Sequence, residues 1–284
     1  MKKYLVLGVL TVFLLHSNAW SKEELKWLVI DWPPYQMLEG PEQGMGRFDA
    51  LLDMYIKNLP QYDHKKVEMN WARFWTGVKE GQEVCNIFAI KTEEREQIAA
   101  FSTANSFGIP VRAVMRKSTS ESLGNPLSVS LSDIVKDRRL KGVLESKRSY
   151  GPALDKILTG IQGSVNFERV AIPSDSVIQM LLSGRVDYSI EYPFVAYYLA
   201  EKHASLYKEP LISIPIEDGP RFYESYVACP KNEWGEMVLK DINTMLEKVK
   251  QDPEYLRILQ KGYTNQEERD LMQDNYSTYF LQLD

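Results

Sequence analysis

The stretch KTEEREQIAAFS, residues 91–102, decides how this chain is interpreted. It follows VCNIFAI, residues 84–90, whose apolar run predicts a buried strand. Within the stretch, Arg95 stands among three glutamates, and Thr92 precedes them as a candidate cap for the turn. On these residues alone, Arg95 is best interpreted as a solvated surface charge.

A second unusual stretch lies upstream, where IDWPPYQ (30–36) begins as a strand and then stops. Pro33 and Pro34 cannot donate hydrogen bonds to a sheet, and each fixes its own backbone angle φ. Trp32 and Tyr35 are therefore expected on a stiff loop at the end of the first strand. Rigid rings suit the wall of a ligand site, and a packed surface turn is the alternative interpretation.

The chain start predicts export. Lys2 and Lys3 precede an apolar run, and small residues follow, which is the order of a secretory signal peptide over residues 1–21. Cleavage after Ala19 or after Ser21 fits equally well, and an uncleaved anchor helix is the alternative. The apolar run is shorter than the roughly 20 residues that span a bilayer. We therefore expect a periplasmic protein whose mature chain is soluble.

The remaining composition excludes several classes of function. The formal charge of -5 becomes -7 without the two lysines of residues 1–21, a segment that holds no acidic residue. An acidic chain without a lysine or arginine cluster argues against a nucleic-acid partner. With three histidines and no C-x-x-C motif, neither a metal site nor a cofactor is predicted.

The two cysteines, Cys85 and Cys229, are far apart in the sequence. An even number of cysteines in an exported chain favours a disulfide bond. Two buried free thiols remain the alternative, because sequence spacing fixes no geometry.

Strand and helix patterns alternate along the chain in two units. The first begins with KWLVID (26–31) and the amphipathic helix GRFDALLDMYIKNL (46–59). A polar stretch at 118–130 is predicted as a loop or linker, and it precedes a second series of strands and helices. The C-terminal part, from about residue 235, is predicted to be helical. The order indicates an α/β protein with two lobes.

Five stretches in this order resemble the amino-acid-binding family of type 2 periplasmic solute-binding proteins, family 3, which serve ABC importers. The most specific is KTEEREQIAAFS, which is similar to the family pattern T-x-E-R followed by F-S. The other four are WPPY with GMGRFDALLDMY, NWARFWTGVKEGQ, LLSGRVDYSIEYPFVAYYL and VKQDPEYLRILQKGY. The resemblance covers nearly all of the expected mature chain.

The resemblance implies a two-lobed periplasmic-binding-protein fold with a mixed sheet flanked by helices in each lobe. Lobe 1 would comprise residues 22–116 and 212–284, and lobe 2 residues 117–211. The chain would cross twice between the lobes, near residues 114–118 and 211–216, and these crossings would act as hinges. Cys85 and Cys229 lie on strands assigned to lobe 1, so a disulfide within that lobe is expected.

The resemblance also implies a ligand site in the cleft between the lobes. Arg95 matches the arginine that binds a ligand carboxylate, a role that suits its planar set of donors. Trp32, Tyr35 and Trp71 would pack against the body of the ligand. Thr92 would support the turn that carries Arg95.

Several positions depart from the family pattern. Phe88 and Ile90 replace residues whose polar groups hold the ligand ammonium. In lobe 2, the turn formed by Ser149, Tyr150 and Gly151 precedes a helix and offers backbone N–H groups to an anion. Arg148 adds positive charge next to this turn. Glu191 is the nearest match to the acidic residue that binds the ammonium, although the alignment is displaced by one position.

Three functions are compatible with these residues. The first is a solute-binding protein that delivers a small carboxylate-bearing solute, an amino acid or a related compound, to an ABC importer. The second is a binding protein that signals to a membrane sensor. The third is a dehydratase-like enzyme on the same fold, since a fold does not fix a function. No nucleophile–His–Asp arrangement is present, so we expect a monomeric binding protein without catalytic residues.

Overall fold

The computed structural model describes residues 22–146, 148–160, 166–206, 208–263 and 266–283. The predicted signal peptide, residues 1–21, lies outside these described residues. Within the described part of the chain, no helix is long and apolar enough to cross a membrane.

The first of two five-stranded sheets has the strand order β2-β1-β3-β10-β4. The strands β1 to β3 run parallel, and β10 lies antiparallel between β3 and β4. All six residues of β3 are buried, as expected for a central strand. The strands of this sheet are β1 (Glu23–Val29), β2 (Tyr62–Glu68), β3 (Val84–Ala89), β4 (Ala99–Gly108) and β10 (Tyr223–Pro230).

The second sheet has the order β7-β6-β8-β5-β9. Here β6 runs parallel to β7 and β8, whereas β5 runs antiparallel to β8 and β9. Its strands are β5 (Arg112–Arg116), β6 (Gly142–Glu145), β7 (Phe167–Val170), β8 (Tyr188–Glu191) and β9 (Leu211–Ile214).

Helices join the strands. Those that belong with the first sheet are α1 (Arg47–Asn58), α2 (Trp71–Lys79), α3 (Glu93–Glu96), α9 (Glu233–Val249), α10 (Pro253–Gln260) and α11 (Gln266–Tyr276). Those that belong with the second are α4 (Lys117–Ser122), α5 (Leu131–Lys136), α6 (Pro152–Gly160), α7 (Ser174–Leu182) and α8 (Pro193–Lys202). Short 3₁₀ turns follow at Ala204–Leu206 and Phe280–Gln282. The first residues of the predicted loop at 118–130 belong to the short helix α4.

The chain crosses between the sheets at residues 109–111 and again at residues 215–222. The predicted crossings, near 114–118 and 211–216, are displaced from these positions. The physical reason is strand pairing, because β5 hydrogen-bonds to both β8 and β9 and so belongs wholly to the second sheet. The sheet assignment therefore transfers residues 112–116 and 212–214 from the predicted lobe 1 to the second sheet.

The predicted disulfide between Cys85 and Cys229 is confirmed, and the described residues contain no free cysteine. Cys85 lies on β3 and Cys229 on β10, which are neighbouring strands of the first sheet. The bond therefore ties an N-terminal strand to the strand that returns after the whole second sheet has been built.

Two local features hold the IDWPPYQ loop against α1. The Trp32 amide donates to the Gln36 carbonyl oxygen at 2.9 Å, which closes the loop on itself. The Phe48 amide at the start of α1 donates to the Tyr35 carbonyl oxygen at 2.7 Å. A Cβ at Gly46 would collide with that carbonyl, so glycine is required for this close approach. The aromatic loop is thereby fixed at the C-terminal end of β1.

Candidate functional site

A cleft lies between the two sheets, with an empty volume of about 850 Å³ that includes space open to solvent. It lies beyond the C-terminal ends of β1, β3 and β6, which is where open α/β sheets bind ligands. Its wall is mainly aromatic, formed by Trp32, Tyr35, Phe48, Trp71, Phe88, Tyr192 and Tyr223. Its charged lining residues are Asp31, Arg95, Glu145 and Arg148.

The three aromatic residues predicted for the site all line this cleft, but they contribute differently. Trp32 is partly exposed, and Trp71 approaches it edge-on with ring centres 6.5 Å apart. Tyr35 is only 1% exposed and stacks on Phe48 at 4.8 Å, so it belongs to the base of the wall. Trp32 and Trp71 therefore offer the accessible ring surface.

Phe88 and Ile90 also line the cleft, as the departures from the family pattern implied. The Phe88 ring stacks on the Phe48 ring, with ring centres 4.7 Å apart, and is buried. Neither side chain can accept a hydrogen bond, so this part of the wall offers an ammonium group no side-chain partner.

Arg95 lines the cleft from the first sheet's side. Its Nη1 donates to the Ile90 carbonyl oxygen at 2.8 Å, and its guanidinium lies 4.4 Å from the ring centre of Trp75. The Thr92 hydroxyl oxygen accepts a hydrogen bond from the Arg95 amide at 3.3 Å, so Thr92 caps the turn as predicted. Burial lowers the pKa of the Arg95 guanidinium to about 10. Among the described residues, no carboxylate forms an ion pair with it.

The turn from Ser149 to Gly151 does not offer the free backbone donors that the sequence predicted. The Tyr150 amide donates to Asp155 at 2.8 Å, and the Ser149 hydroxyl donates to the same carboxylate at 2.5 Å. The Gly151 amide donates to the Ser149 hydroxyl oxygen at 3.2 Å. Ser149 lines the main cleft, whereas Tyr150 and Gly151 line an adjoining hollow. The reason is local, because Asp155 in the first turn of α6 reaches back to the turn.

Glu191 likewise does not lie free in the cleft. Its two carboxylate oxygens accept hydrogen bonds from Arg148 Nη1 and Nη2, each at 2.6 Å. The Glu191 side chain is 3% exposed and is not among the residues that line the cleft. The predicted ammonium partner is therefore already committed to an internal ion pair.

Glu145 is the lobe-2 carboxylate that does line the cleft, and the sequence reasoning missed it. It lies 4.0 Å from Arg148, and burial raises the pKa of its carboxyl group while Arg148 opposes this shift. Its position at the C-terminal end of the parallel strand β6 was the available signal, because ligand groups collect at that edge.

Direct contacts join the two sides of the cleft. The Tyr198 hydroxyl donates to the Glu42 carboxylate at 2.7 Å, and the Arg47 guanidinium lies 4.7 Å from the Phe194 ring centre. The ring centres of Trp32 and Tyr192 are 6.2 Å apart. Side chains of the two sides therefore touch each other across the cleft.

Among the described residues, no group of three or more His, Cys, Asp or Glu is placed to hold a metal ion.

Comparison with solved structures identifies the same architecture elsewhere. A histidine kinase sensor domain with similarity to periplasmic binding proteins matches with a TM-score of 0.66 and 14% identity, over 86% of this chain and 96% of that one. An ancestral arginine-binding protein bound to glutamine matches with a TM-score of 0.64 and 19% identity, over 86% and 100%. The substrate-binding protein of an amino acid ABC transporter matches with a TM-score of 0.62 and 16% identity, over 85% and 100%.

These identities are low, and the likeness therefore shows the fold. The predicted two-lobed α/β fold of the periplasmic binding proteins is confirmed. No protein-family model matches the sequence, and no curated protein matches it.

Proposed function

We propose that this chain is a periplasmic solute-binding protein that captures a small carboxylate-bearing solute, an amino acid or a related compound, and delivers it to an ABC importer. The shared fold with the substrate-binding protein of an amino acid ABC transporter supports this proposal. We further propose that the protein acts as a monomer and without catalysis. The two sheets would form separate lobes that close on the ligand by movement about residues 109–111 and 215–222.

The main support for the proposal is the environment of the Arg95 guanidinium. This group is partly buried and lines the cleft, and among the described residues no carboxylate forms an ion pair with it, although the charges of Asp155 and Glu94 act on it from further away. A desolvated charge is costly unless an opposite charge pairs with it. A ligand carboxylate would supply that charge through two hydrogen bonds, while Trp32 and Trp71 would pack on the ligand body.

A thermal-shift screen of the mature protein tests this function. Amino acids, short peptides and aromatic acids are the compounds to screen, because a bound ligand raises the melting temperature by mass action. Every compound that stabilises the wild type is then tested on Arg95→Ala. Arg257→Ala is the matched control, since Arg257 is an exposed arginine on α10 that pairs with Glu254.

We expect carboxylate compounds to stabilise the wild type and Arg257→Ala, but to lose most of their effect on Arg95→Ala. If no carboxylate stabilises the wild type, or if Arg95→Ala responds as the wild type does, the proposal is wrong.

A second candidate function has its own support, because the histidine kinase sensor domain has the same fold. In that case the chain would bind the solute and signal to a membrane sensor. Deletion of the gene separates the two functions. Loss of solute uptake supports import, whereas normal uptake with a lost transcriptional response to the solute supports sensing.

A further inference from the structure

Arg148 lies inside a box of aromatic rings that spans the cleft. Its guanidinium carbon is 5.3 Å from the ring centre of Trp32, 5.1 Å from that of Tyr150 and 5.5 Å from that of Tyr192. Trp32 follows β1 of the first sheet, whereas the other two rings belong to the side of the second sheet. Cations within about 6 Å of an aromatic ring centre are attracted by the electron-rich ring face.

Carboxylates complete the surroundings of this guanidinium. Glu191 accepts from both terminal nitrogens at 2.6 Å, and Glu145 lies 4.0 Å away. The Ser174 hydroxyl oxygen accepts a further hydrogen bond at 2.9 Å. Aromatic faces together with a carboxylate that accepts two parallel hydrogen bonds are the features that bind a guanidinium ligand. In this protein, the Arg148 side chain itself occupies such a guanidinium-binding arrangement.

We propose that Arg148 is a specificity-determining residue, whose guanidinium occupies the cation-binding box of the cleft and thereby excludes ligands that would place a cationic side-chain group, such as a guanidinium, in that box. Such a ligand would meet a fixed like charge and would find the Glu191 carboxylate already paired. This inference deepens the proposed function and rests on it for its biological meaning. The ligands that remain are those that present an anionic or neutral group to this box, with Arg95 available for a carboxylate.

The proposal has a direct chemical consequence. Removal of the Arg148 side chain leaves a space bounded by three rings, with Glu145 and Glu191 facing it and the ion-pair partner of Glu191 gone. A free alkylguanidinium has the shape, charge and donors of the missing group. It should therefore bind in the vacated space and restore the ion pair with Glu191.

Ethylguanidinium chloride is the probe for this experiment, and the proteins compared are the wild type and Arg148→Ala. Titration calorimetry and thermal shift are measured at constant ionic strength, with ethylammonium chloride as the non-guanidinium salt. We expect saturable binding of ethylguanidinium and a rise in melting temperature for Arg148→Ala, and neither effect for the wild type. Ethylammonium should bind more weakly, because it cannot form the bidentate pair.

Two further variants test the position of the site. Arg169 also faces Tyr150, at 5.6 Å, but its Nη2 donates to the backbone carbonyl oxygens of Glu145 and Arg148. Arg169→Ala should therefore gain no ethylguanidinium site. In the double variant Arg148→Ala with Glu191→Gln, binding should be at least about tenfold weaker than in Arg148→Ala, because a charge-assisted pair is lost.

Instability of Arg148→Ala does not prevent the test. If the variant is unfolded, ethylguanidinium should restore its circular dichroism spectrum, and ethylammonium should not. The proposal is overturned if ethylguanidinium neither binds to nor refolds Arg148→Ala, or if the wild type binds it equally well. The natural ligand is not needed, so a failed solute screen would refute the proposed function and leave this result intact.

Discussion

The ion pair between Arg148 and Glu191 predicts a large loss of stability when one partner is removed. In Glu191→Gln, the side chain keeps its shape but loses its charge, and its NH₂ group must face an arginine donor. The Arg148 guanidinium then stays buried without its charged partner. In the wild type, the Arg148 and Glu191 side chains are 10% and 3% exposed. Breaking a buried pair in this way costs about 3–5 kcal/mol. Glu145, at 4.0 Å, offsets part of the loss, so we expect about 3 kcal/mol, the lower end of that range.

Urea denaturation of the wild type and of Glu191→Gln measures this difference in the free energy of unfolding. For a protein of this size, about 3 kcal/mol corresponds to a decrease in melting temperature of roughly 6–12 °C. The double variant Arg148→Met with Glu191→Leu serves as the control, because it removes both charges together and should recover most of the stability. A loss below about 1 kcal/mol in Glu191→Gln, the level of an exposed pair, would refute the reasoning.

Three other predictions follow from the fold and the site. Replacing Cys85 and Cys229 by serine should lower the free energy of unfolding by about 4–5 kcal/mol in the chain-entropy model, because the bond closes a loop with a sequence separation of 144. Urea denaturation measures this loss, and an unchanged unfolding midpoint contradicts it. Burial raises the pKa of the Glu145 carboxyl group, so the contribution of this residue to stability falls as the pH rises from its ordinary pKa to the raised one. The stability of Glu145→Gln relative to the wild type should therefore increase between acidic and neutral pH. A stability difference that does not change with pH contradicts this. A saturating ligand should reduce the radius of gyration in X-ray scattering, and an unchanged value argues against closure.

The alternating pattern of the sequence was sufficient to predict an α/β protein with two lobes, because helix and strand periodicities are local properties of the chain. The periplasmic-binding-protein fold was predicted from the family resemblance of five stretches, not from periodicity. The crossings between the sheets were displaced, since strand pairing is not local. The apolar stretch FGIPVRAVMRK (107–117) shows no break in its pattern apart from Pro110, yet the chain changes sheets at 109–111, and only the partners of β5 decide where. The stretch AAFSTANS (99–106), which forms most of β4, alternates weakly and mixes small and polar residues, so its sequence gives little strand signal.

The candidate site was predictable where one residue type suits one role. Arg95 lines the cleft, a position that the family resemblance predicted and its own neighbours did not, and Trp32 lines it from the stiff loop that the prolines predicted. Their contact with a ligand stays a prediction. The pairing of Glu191 was not predictable, since its partner Arg148 is 43 positions away. The capture of the Tyr150 amide by Asp155 was missed for a different reason. A hydrogen bond from a turn to a side chain in the first turn of the following helix produces no periodic pattern in the sequence.

Calorimetric titration of Arg95→Ala with the first ligand identified by the screen shows whether Arg95 binds the ligand carboxylate. We expect the binding free energy to weaken by about 2–5 kcal/mol, because the ligand carboxylate loses a buried charged partner. Arg95→Lys should show a smaller loss, since it keeps the charge but not the planar pair of donors. Stability in the absence of ligand should change little, because Arg95 makes no ion pair among the described residues. Wild-type affinity in Arg95→Ala would contradict the account, because the cleft would then hold its ligand without the arginine.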